Sequence, residues 1–335
     1  MTNRTNPVVA APAGAAAVRP GAGRITAGIV AVAAILPYLA LKTVWSFGGT
    51  IGLADIGAAD EDTLRALNLL TFGMDLVALV LALAFTRPWG LRLPVWLVIL
   101  PMWVGTGFLA PIAILVPIQV LILGAEAETA GGPVQPWVYA VVYTGFVVQG
   151  LALMTAFALY ARDRWPWLFV AGGTARGATY SLQVVLAWGA GVFCVGIGAL
   201  RLLWAFGGTV GLPGWLVAEY DATVRTQTGV FGLACLVAAA GLAGMLRGGP
   251  WPFWIPLAAA WGGAGVMFSW SIWSTALTLI PNPFGGPVRL AAVPALTDLF
   301  ATLAAVVVGL TAAFLLAERA ALAGQAGEGA AADGS

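Results

Sequence analysis

The sequence predicts an all-α, polytopic membrane protein in which eight transmembrane helices form two parallel four-helix repeats. Three observations predict this fold: the composition, a repeated motif and the distribution of arginine. Hydrophobic residues make up 61% of the 335 residues and charged residues only 9%, whereas a soluble domain usually carries about 25% charged residues. A soluble fold of this size cannot bury so much apolar side chain, so the lipid bilayer must solvate it.

The charge balance and the absence of histidine exclude several functional classes. Fifteen basic residues offset fourteen acidic ones, so nucleic acid is not an expected partner. Without histidine, haem and zinc sites with His ligands and Ser-His or Cys-His nucleophilic pairs are excluded. The two cysteines, Cys194 and Cys235, lie in apolar runs and are expected to be small buried residues. We therefore expect no catalytic residue, no metal site and no cofactor.

Eight apolar segments have the length of roughly 20 residues that a membrane-spanning helix needs. They are predicted at 24–47, 65–86, 93–123, 136–161, 181–206, 226–246, 253–280 and 291–317. The first repeat is assigned to 24–164 and the second to 181–319, with a cytoplasmic linker at 165–180. The Ala- and Gly-rich ends, 1–23 and 320–335, are predicted to be disordered cytoplasmic tails.

The third span contains Pro94, Pro101, Pro111 and Pro117, and the seventh is similarly rich in proline and glycine. Both spans are therefore expected to be interrupted. Interrupted segments in corresponding positions of two halves point to a substrate path. Proline kinks that neighbouring helices tolerate are the alternative.

The distribution of arginine predicts the orientation, because cytoplasmic segments are enriched in basic residues. With the N-terminus inside, ten arginines fall on the cytoplasmic side and the outer loops are acidic. The cytoplasmic arginines are Arg4, Arg19, Arg24, Arg87, Arg92, Arg162, Arg164, Arg176, Arg247 and Arg319. Both termini are thus predicted to be cytoplasmic. High Ala, Gly and Arg content with a single lysine is typical of a GC-rich bacterial coding sequence, so we expect the plasma membrane of a bacterium.

An internal repeat is the most informative feature. Residues 42–53, KTVWSFGGTIGL, recur at 201–212 as RLLWAFGGTVGL, and from the tryptophan onward seven of nine positions are identical. Because each unit has four spans, both units enter the membrane from the same side, which makes the repeat parallel and not inverted. We expect a pseudo-twofold axis near the membrane normal, with like helices packed across it.

Each copy of the motif places a cation one turn before a tryptophan, and a glycine pair after it. The glycine pair is expected to end the helix, since glycine tolerates left-handed backbone, and Thr63 and Thr223 are expected to cap the next helix. One interpretation is a folding signature with arginine–carboxylate pairs at the outer rim. The other is a pair of outer-facing pockets that bind an anionic group. The residues concerned are Lys42, Trp45, Gly48, Gly49 and Arg65 in the first half, and Arg201, Trp204, Gly207, Gly208 and Arg225 in the second.

Two acids, Asp75 and Asp298, lie within apolar spans. An ionised carboxylate at that depth is costly unless it is paired, so each is a candidate for an intramembrane polar site. Asp75 and Lys42 descend from the same interface on adjacent antiparallel helices, and we expect them to pair. The position of Asp75 is matched by Cys235 in the second half, so Arg201 must find another anion. The available acids are Asp298, Glu219 and Asp221. Structural ion pairing and a proton or cation relay both remain open.

At the motif Lys42-x-x-Trp45-x-x-Gly48-Gly49 and its copy at Arg201, the chain resembles a family of uncharacterised bacterial four-helix integral membrane proteins. In that family a basic residue, often His, closes the first helix together with a Trp and a Gly pair. The resemblance implies that this chain is a tandem fusion of two such units. It implies a fold and no activity, and the lack of histidine is a departure from the family pattern.

These observations leave a small-molecule or ion permease as the best hypothesis. Buried acids, interrupted spans and internal symmetry favour it. The alternative is a non-catalytic membrane accessory or assembly protein, which fits the short loops. A membrane enzyme fits worst, because only scattered acids are available for acid–base chemistry. The expected partners are the lipid bilayer and a small-molecule ligand.

Overall fold

The computed structural model describes residues 20–54, 61–123, 134–169, 179–248, 251–279 and 289–332. Within these ranges the chain is all-helical, and its one β-bridge joins Leu53 to Val134. The α-helices are α1 (Ala22–Ser46), α2 (Glu61–Thr86), α3 (Val95–Leu123), α4 (Pro136–Arg164), α5 (Tyr180–Ala205), α6 (Gly214–Val217), α7 (Ala222–Arg247), α8 (Trp254–Leu279) and α9 (Ala292–Ala332). The predicted all-α class is confirmed for the described part of the chain.

Eight of these helices, all but the single turn α6, are long and apolar enough to cross a membrane. Each corresponds to one predicted span. Large apolar side chains are exposed along their surfaces, among them Val30, Leu70, Trp188 and Leu310. Water would solvate such a surface poorly, whereas lipid tails solvate it well. The helices therefore indicate an integral, multi-pass membrane protein.

The helix ends differ from the predicted domain bounds. α1 begins at Ala22, so Arg24 lies inside the helix and is buried. α9 continues to Ala332, through a stretch that the sequence predicts to be a disordered tail. Alanine has the highest intrinsic helix propensity, and this stretch is rich in alanine. Residues 1–19 and 333–335 lie outside the described residues, as does 170–178 of the predicted linker.

The predicted interruption of the third and seventh spans is wrong. α3 is one continuous helix although Pro101, Pro111 and Pro117 lie inside it, and α8 is also continuous. In a membrane bundle neighbouring helices and local backbone adjustments compensate for the hydrogen bonds that proline removes. The argument for a substrate path from broken helices therefore falls away.

The helix contacts follow the same order in both halves of the chain. In the first half α1 packs against α2 and α4, and α4 packs against α3. In the second half α5 packs against α7 and α9, and α9 packs against α8. The halves differ at one place: α7 and α8 are in extensive contact, whereas α2 barely touches α3.

The two halves meet mainly where α3 packs against α8. The approach is close, because a Cβ atom on Gly107 would lie 2.1 Å from the carbonyl oxygen of Gly265. The indole of Trp103 stacks on Phe268, with ring centres 4.9 Å apart, and its Nε1 donates to the carbonyl of Trp261 at 2.9 Å. Small residues and buried aromatic rings thus join the two hydrophobic cores.

Candidate functional site

Both copies of the repeated motif fold into the same turn. Trp45 Nε1 donates a 2.8 Å hydrogen bond to the carbonyl of Ile51, and Trp204 Nε1 donates a 2.8 Å bond to the carbonyl of Val210. The first glycine of each pair has a positive φ, +83° at Gly48 and +98° at Gly207. Residues with a Cβ disfavour that conformation, so the glycines end α1 and α5 as predicted.

The backbone after the tryptophan is also held in the same way in both turns. Gly49 N–H donates to the carbonyl of Val44 at 2.9 Å, and Gly208 N–H donates to that of Leu203 at 2.8 Å. Each turn then rests on the start of the fourth long helix of its half. A Cβ at Gly52 would lie 2.4 Å from Val138 on α4, and one at Gly211 would lie 2.8 Å from Val293 on α9.

The predicted contact between Lys42 and Asp75 is present. Lys42 Nζ on α1 donates to Asp75 Oδ2 on α2 at 2.7 Å, and the two side chains are only 1% and 9% exposed. The ammonium also lies 4.1 Å from the ring centre of Tyr38, within the range of a cation–π interaction. The buried amide of Gln149 on α4 lies beside the same carboxylate. Every charge of this pair is therefore compensated, and the pair is sealed from solvent.

Arg201 occupies the place of Lys42 in the second copy of the motif, and its partner comes from another helix. Its guanidinium donates to Oδ1 of Asp298, which lies on α9. These side chains are 12% and 15% exposed, so they are more accessible than the pair in the first half. Cys235 of α7 lies beside this pair. Of the three acids predicted as partners of Arg201, the structure selects Asp298.

A cavity of about 320 Å³ opens beside this second ion pair. Arg201, Cys235 and Asp298 line it from α5, α7 and α9. The rest of its polar wall is formed by Gln227, Thr228, Ser271 and Ser274, and its aromatic wall by Phe231, Trp270 and Trp273. Sequence reasoning did not find these hydroxyl and indole groups, because serine, threonine and tryptophan on apolar helices are common outside binding sites.

Two buried donors of cavity-lining residues have no hydrogen-bond partner among the described residues: Nε of Arg201 and Nε1 of Trp270. A buried N–H group without an acceptor is unfavourable by about 1–3 kcal/mol. The ring of Trp270 is held in place, since it packs against Phe231 with ring centres 5.3 Å apart and against Phe108 at 5.7 Å. Both N–H groups are covered by neighbouring atoms and are not exposed to the cavity, whose charged groups are those of Arg201 and Asp298.

The other two predicted site residues, Arg65 and Arg225, are not brought to the ion pairs. Arg65 is exposed in the first turns of α2. Arg225 Nε donates to the backbone carbonyl of Tyr220 at 3.1 Å, and among the described residues Arg225 forms no ion pair with a carboxylate. The cap of α7 also differs from the prediction, because Asp221, and not Thr223, accepts from the N–H of Val224 at 2.8 Å.

Sequence reasoning missed an ion pair at the start of α1, in which Arg24 is buried and Asp163 is partly exposed. Arg24 donates through NH1 to Asp163 Oδ2 at 2.6 Å and through Nε to the carbonyl of Phe85 at 2.7 Å. At the corresponding place in the second half, Glu318 of α9 accepts from the Thr179 hydroxyl at 2.5 Å. The signal for these contacts was an acid near the end of each fourth span, within the stretches ARDR and AER.

Comparisons with protein-family models, with curated proteins and with solved structures find no match to this chain.

Proposed function

We propose that this integral membrane protein is a permease-like protein that binds a small polar molecule in the cavity beside Arg201 and Asp298. The observation that carries the proposal is an accessible ion pair inside helices that are otherwise apolar. Charged side chains at membrane depth are unfavourable and mark substrate or ion pathways when they face a cavity. This cavity also has the size and the few convergent polar groups typical of a small-molecule site.

The contrast between the two ion pairs supports a functional role for the second one. Lys42 and Asp75 are enclosed by Tyr38 and Gln149, and a sealed pair of this kind stabilises the helix packing. Arg201 and Asp298 instead line a cavity, and their side chains are more exposed than those of the first pair. In this proposal the ion pair of the first half stabilises the fold, and the ion pair of the second half belongs to a solute-binding site.

The shape of the cavity also fits a solute that enters from one side of the membrane. Its lining on α8 runs from Leu277, near the end of that helix, down to Val266. At 1.5 Å per residue this span is about 17 Å, which is roughly half the thickness of a bilayer core. The cavity therefore reaches from the side of the Gly207-Gly208 turn toward the middle of the helices.

Aqueous access to the cavity is tested by cysteine labelling. In a background in which Cys194 and Cys235 are replaced by alanine, Ser274→Cys should react with a charged, membrane-impermeant maleimide in intact membranes. Ala82→Cys is the matched control, because Ala82 is fully buried in the first half. We expect rapid labelling at 274 and none at 82. Equal protection of both cysteines would reject the proposal.

A non-catalytic accessory or assembly protein is the second candidate, and the first half favours it. There the ion pair is sealed, and a packed interior without an aqueous site is what an assembly factor requires. The labelling experiment distinguishes the two functions. An accessory protein needs no aqueous cavity between α7, α8 and α9, so the cysteine at position 274 would then stay unlabelled.

We further propose that the chain arose as a tandem fusion of two four-helix units of the family that its motifs resemble. The matching hydrogen bonds of the two turns support this origin, as do the same order of helix contacts and the contact between α3 and α8, the third long helix of each half. In this proposal the units span 24–164 and 181–319 and run parallel in the membrane.

The proposed orientation places both termini in the cytoplasm of a bacterial cell and the Gly-Gly turns at the outer face. The distribution of arginine supports it. The cavity would then open toward the outside, which suits uptake of a solute from the medium.

A further inference from the structure

The charged or titratable groups around the cavity are few and come from three helices. α5 contributes the guanidinium of Arg201, α9 the carboxylate of Asp298 and α7 the thiol of Cys235. α8 has no titratable residue and contributes hydroxyl and indole groups only. With the cysteine as a thiol, the empty site is neutral, because Arg201 and Asp298 cancel each other.

From this balance we propose that the cavity binds a small carboxylate, acetate or lactate in size, together with one proton that Asp298 accepts. The inference rests on the proposed function and names its substrate class. On binding, the carboxylate replaces Asp298 as the partner of Arg201, and the proton neutralises the released Asp298 carboxylate. The site carries no net charge before or after, since one anion and one proton enter together.

The guanidinium of Arg201 favours a carboxylate over other solutes. A carboxylate has two oxygens in one plane, and each can accept a charge-assisted hydrogen bond. Arg201 lines the cavity, and a guanidinium is suited to planar, two-point recognition of carboxylates. A cationic solute would add an uncompensated positive charge to a neutral site at membrane depth, so it is not favoured.

The proton is needed because of the depth of the site. Asp298 lies six residues into α9, which places it about 9 Å below the start of that helix at 1.5 Å per residue. A carboxylate that entered without a proton would leave two anions beside one guanidinium, and net charge at such depth is unfavourable. Protonation of Asp298 removes that excess charge.

The proposal is tested by calorimetric titration of the purified full-length protein in detergent with acetate and lactate between pH 6 and pH 8. Glycerol and choline serve as neutral and cationic probes. Where Asp298 is ionised in the empty protein, Kd should rise about tenfold for each pH unit, which is the signature of one proton bound with each anion. Titrations of wild-type protein in buffers of different ionisation enthalpy should report the same single proton.

Asp298→Asn removes the internal anion and the proton acceptor together. In this variant acetate should still bind to Arg201, but with a Kd that does not change with pH. Glu219→Gln is the matched control, because it makes the same change at an exposed carboxylate outside the cavity lining, and it should keep the slope of the wild-type protein.

Three outcomes would overturn the inference. One is pH-independent binding of acetate and lactate to the wild-type protein, without proton uptake. A second is binding of glycerol in preference to the carboxylates, which rejects the substrate class but leaves a solute site in place. The third is binding of no probe at all. The fate of the proposed function is then decided separately by labelling of Ser274→Cys. If Asp298→Asn does not fold, the buffer titrations of the wild-type protein decide the coupling alone.

Discussion

The two motif cations show how one sequence position serves two environments. Lys42 receives its counter-ion from α2, and Arg201 receives its counter-ion from α9. Where α7 would offer an acid to Arg201, it carries Cys235 instead, beside the pair. The acid thus lies on the second long helix in the first half and on the fourth long helix in the second half. The first arrangement encloses the ion pair, whereas the second leaves a cavity beside it.

A double-mutant cycle measures how strongly Lys42 and Asp75 interact. Lys42→Ala and Asp75→Ala should each lower the melting temperature, because removing one partner of a buried pair costs about 3–5 kcal/mol by leaving the other charge unpaired. The double substitution should recover part of the loss, since no unpaired charge remains. The same cycle on Arg201 and Asp298 should give a smaller coupling, because access to water screens that pair.

Thermal unfolding in detergent, followed for wild-type, single and double variants, gives the coupling energies. Strictly additive losses at Lys42 and Asp75 would contradict the interaction. A coupling at Arg201 and Asp298 as large as that of the sealed pair would contradict the difference in accessibility.

At the scale of elements, the turns after α1 and α5 are the features that the sequence specifies most tightly. Each needs a left-handed residue directly after a phenylalanine, a tryptophan that reaches forward to a carbonyl, and a small residue against α4 or α9. The helices themselves are less demanding, since α3 accepts three prolines without a break.

Gly48→Ala and Gly207→Ala should each destabilise the protein by about 1–2 kcal/mol, because a Cβ disfavours left-handed backbone. Gly191→Ala is the matched control. It makes the same change inside α5, where a Cβ would meet open space, and alanine is favoured over glycine in a helix interior by roughly 1 kcal/mol. Melting temperatures should fall for the first two variants and hold or rise for the third. A fall of equal size in all three would show that the turn conformation is not the cause.

At the scale of the whole molecule, the two halves differ in how closely their second and third long helices pack. α7 closes against α8 in the second half, and α2 stays apart from α3 in the first. The cavity lies in the half with the closer helices, where α5, α7, α8 and α9 all contribute to its wall. At Gly107 and Gly265 the backbones of α3 and α8 are in direct contact, and this contact joins the two hydrophobic cores.

The proposed membrane orientation is tested with reporter fusions. Alkaline phosphatase, which is active only outside the cytoplasm, should be inactive when fused after Arg319 and active when fused after Leu53, in the loop that follows the first turn. A fluorescent protein fused at the same two positions is the control, since it should show the opposite pattern. Phosphatase activity from the fusion after Arg319 would reject the orientation.

Much of the fold follows from the sequence because it depends on local properties. The length of each apolar run determines whether a helix can span a bilayer, and the order of residues from Trp45 to Gly52 determines a turn that needs positive φ. The contact between Lys42 and Asp75 was also predictable, since both descend from the same interface on adjacent antiparallel helices and a long lysine side chain can bridge the difference in depth.

Only the tertiary structure decided which helices are neighbours beyond adjacent pairs. The choice of Asp298 as the partner of Arg201 depends on α9 packing against α5, 97 residues along the chain. The same holds for Arg24 and Asp163, which α1 and α4 bring together, and for the cavity, which exists only where four helices converge. In an apolar bundle the helix surfaces are chemically alike, so hydrophobic pattern does not distinguish one packing order from another. The packing order is determined by close contacts between small residues and by a few ion pairs. Both kinds of contact form only when the helices assemble.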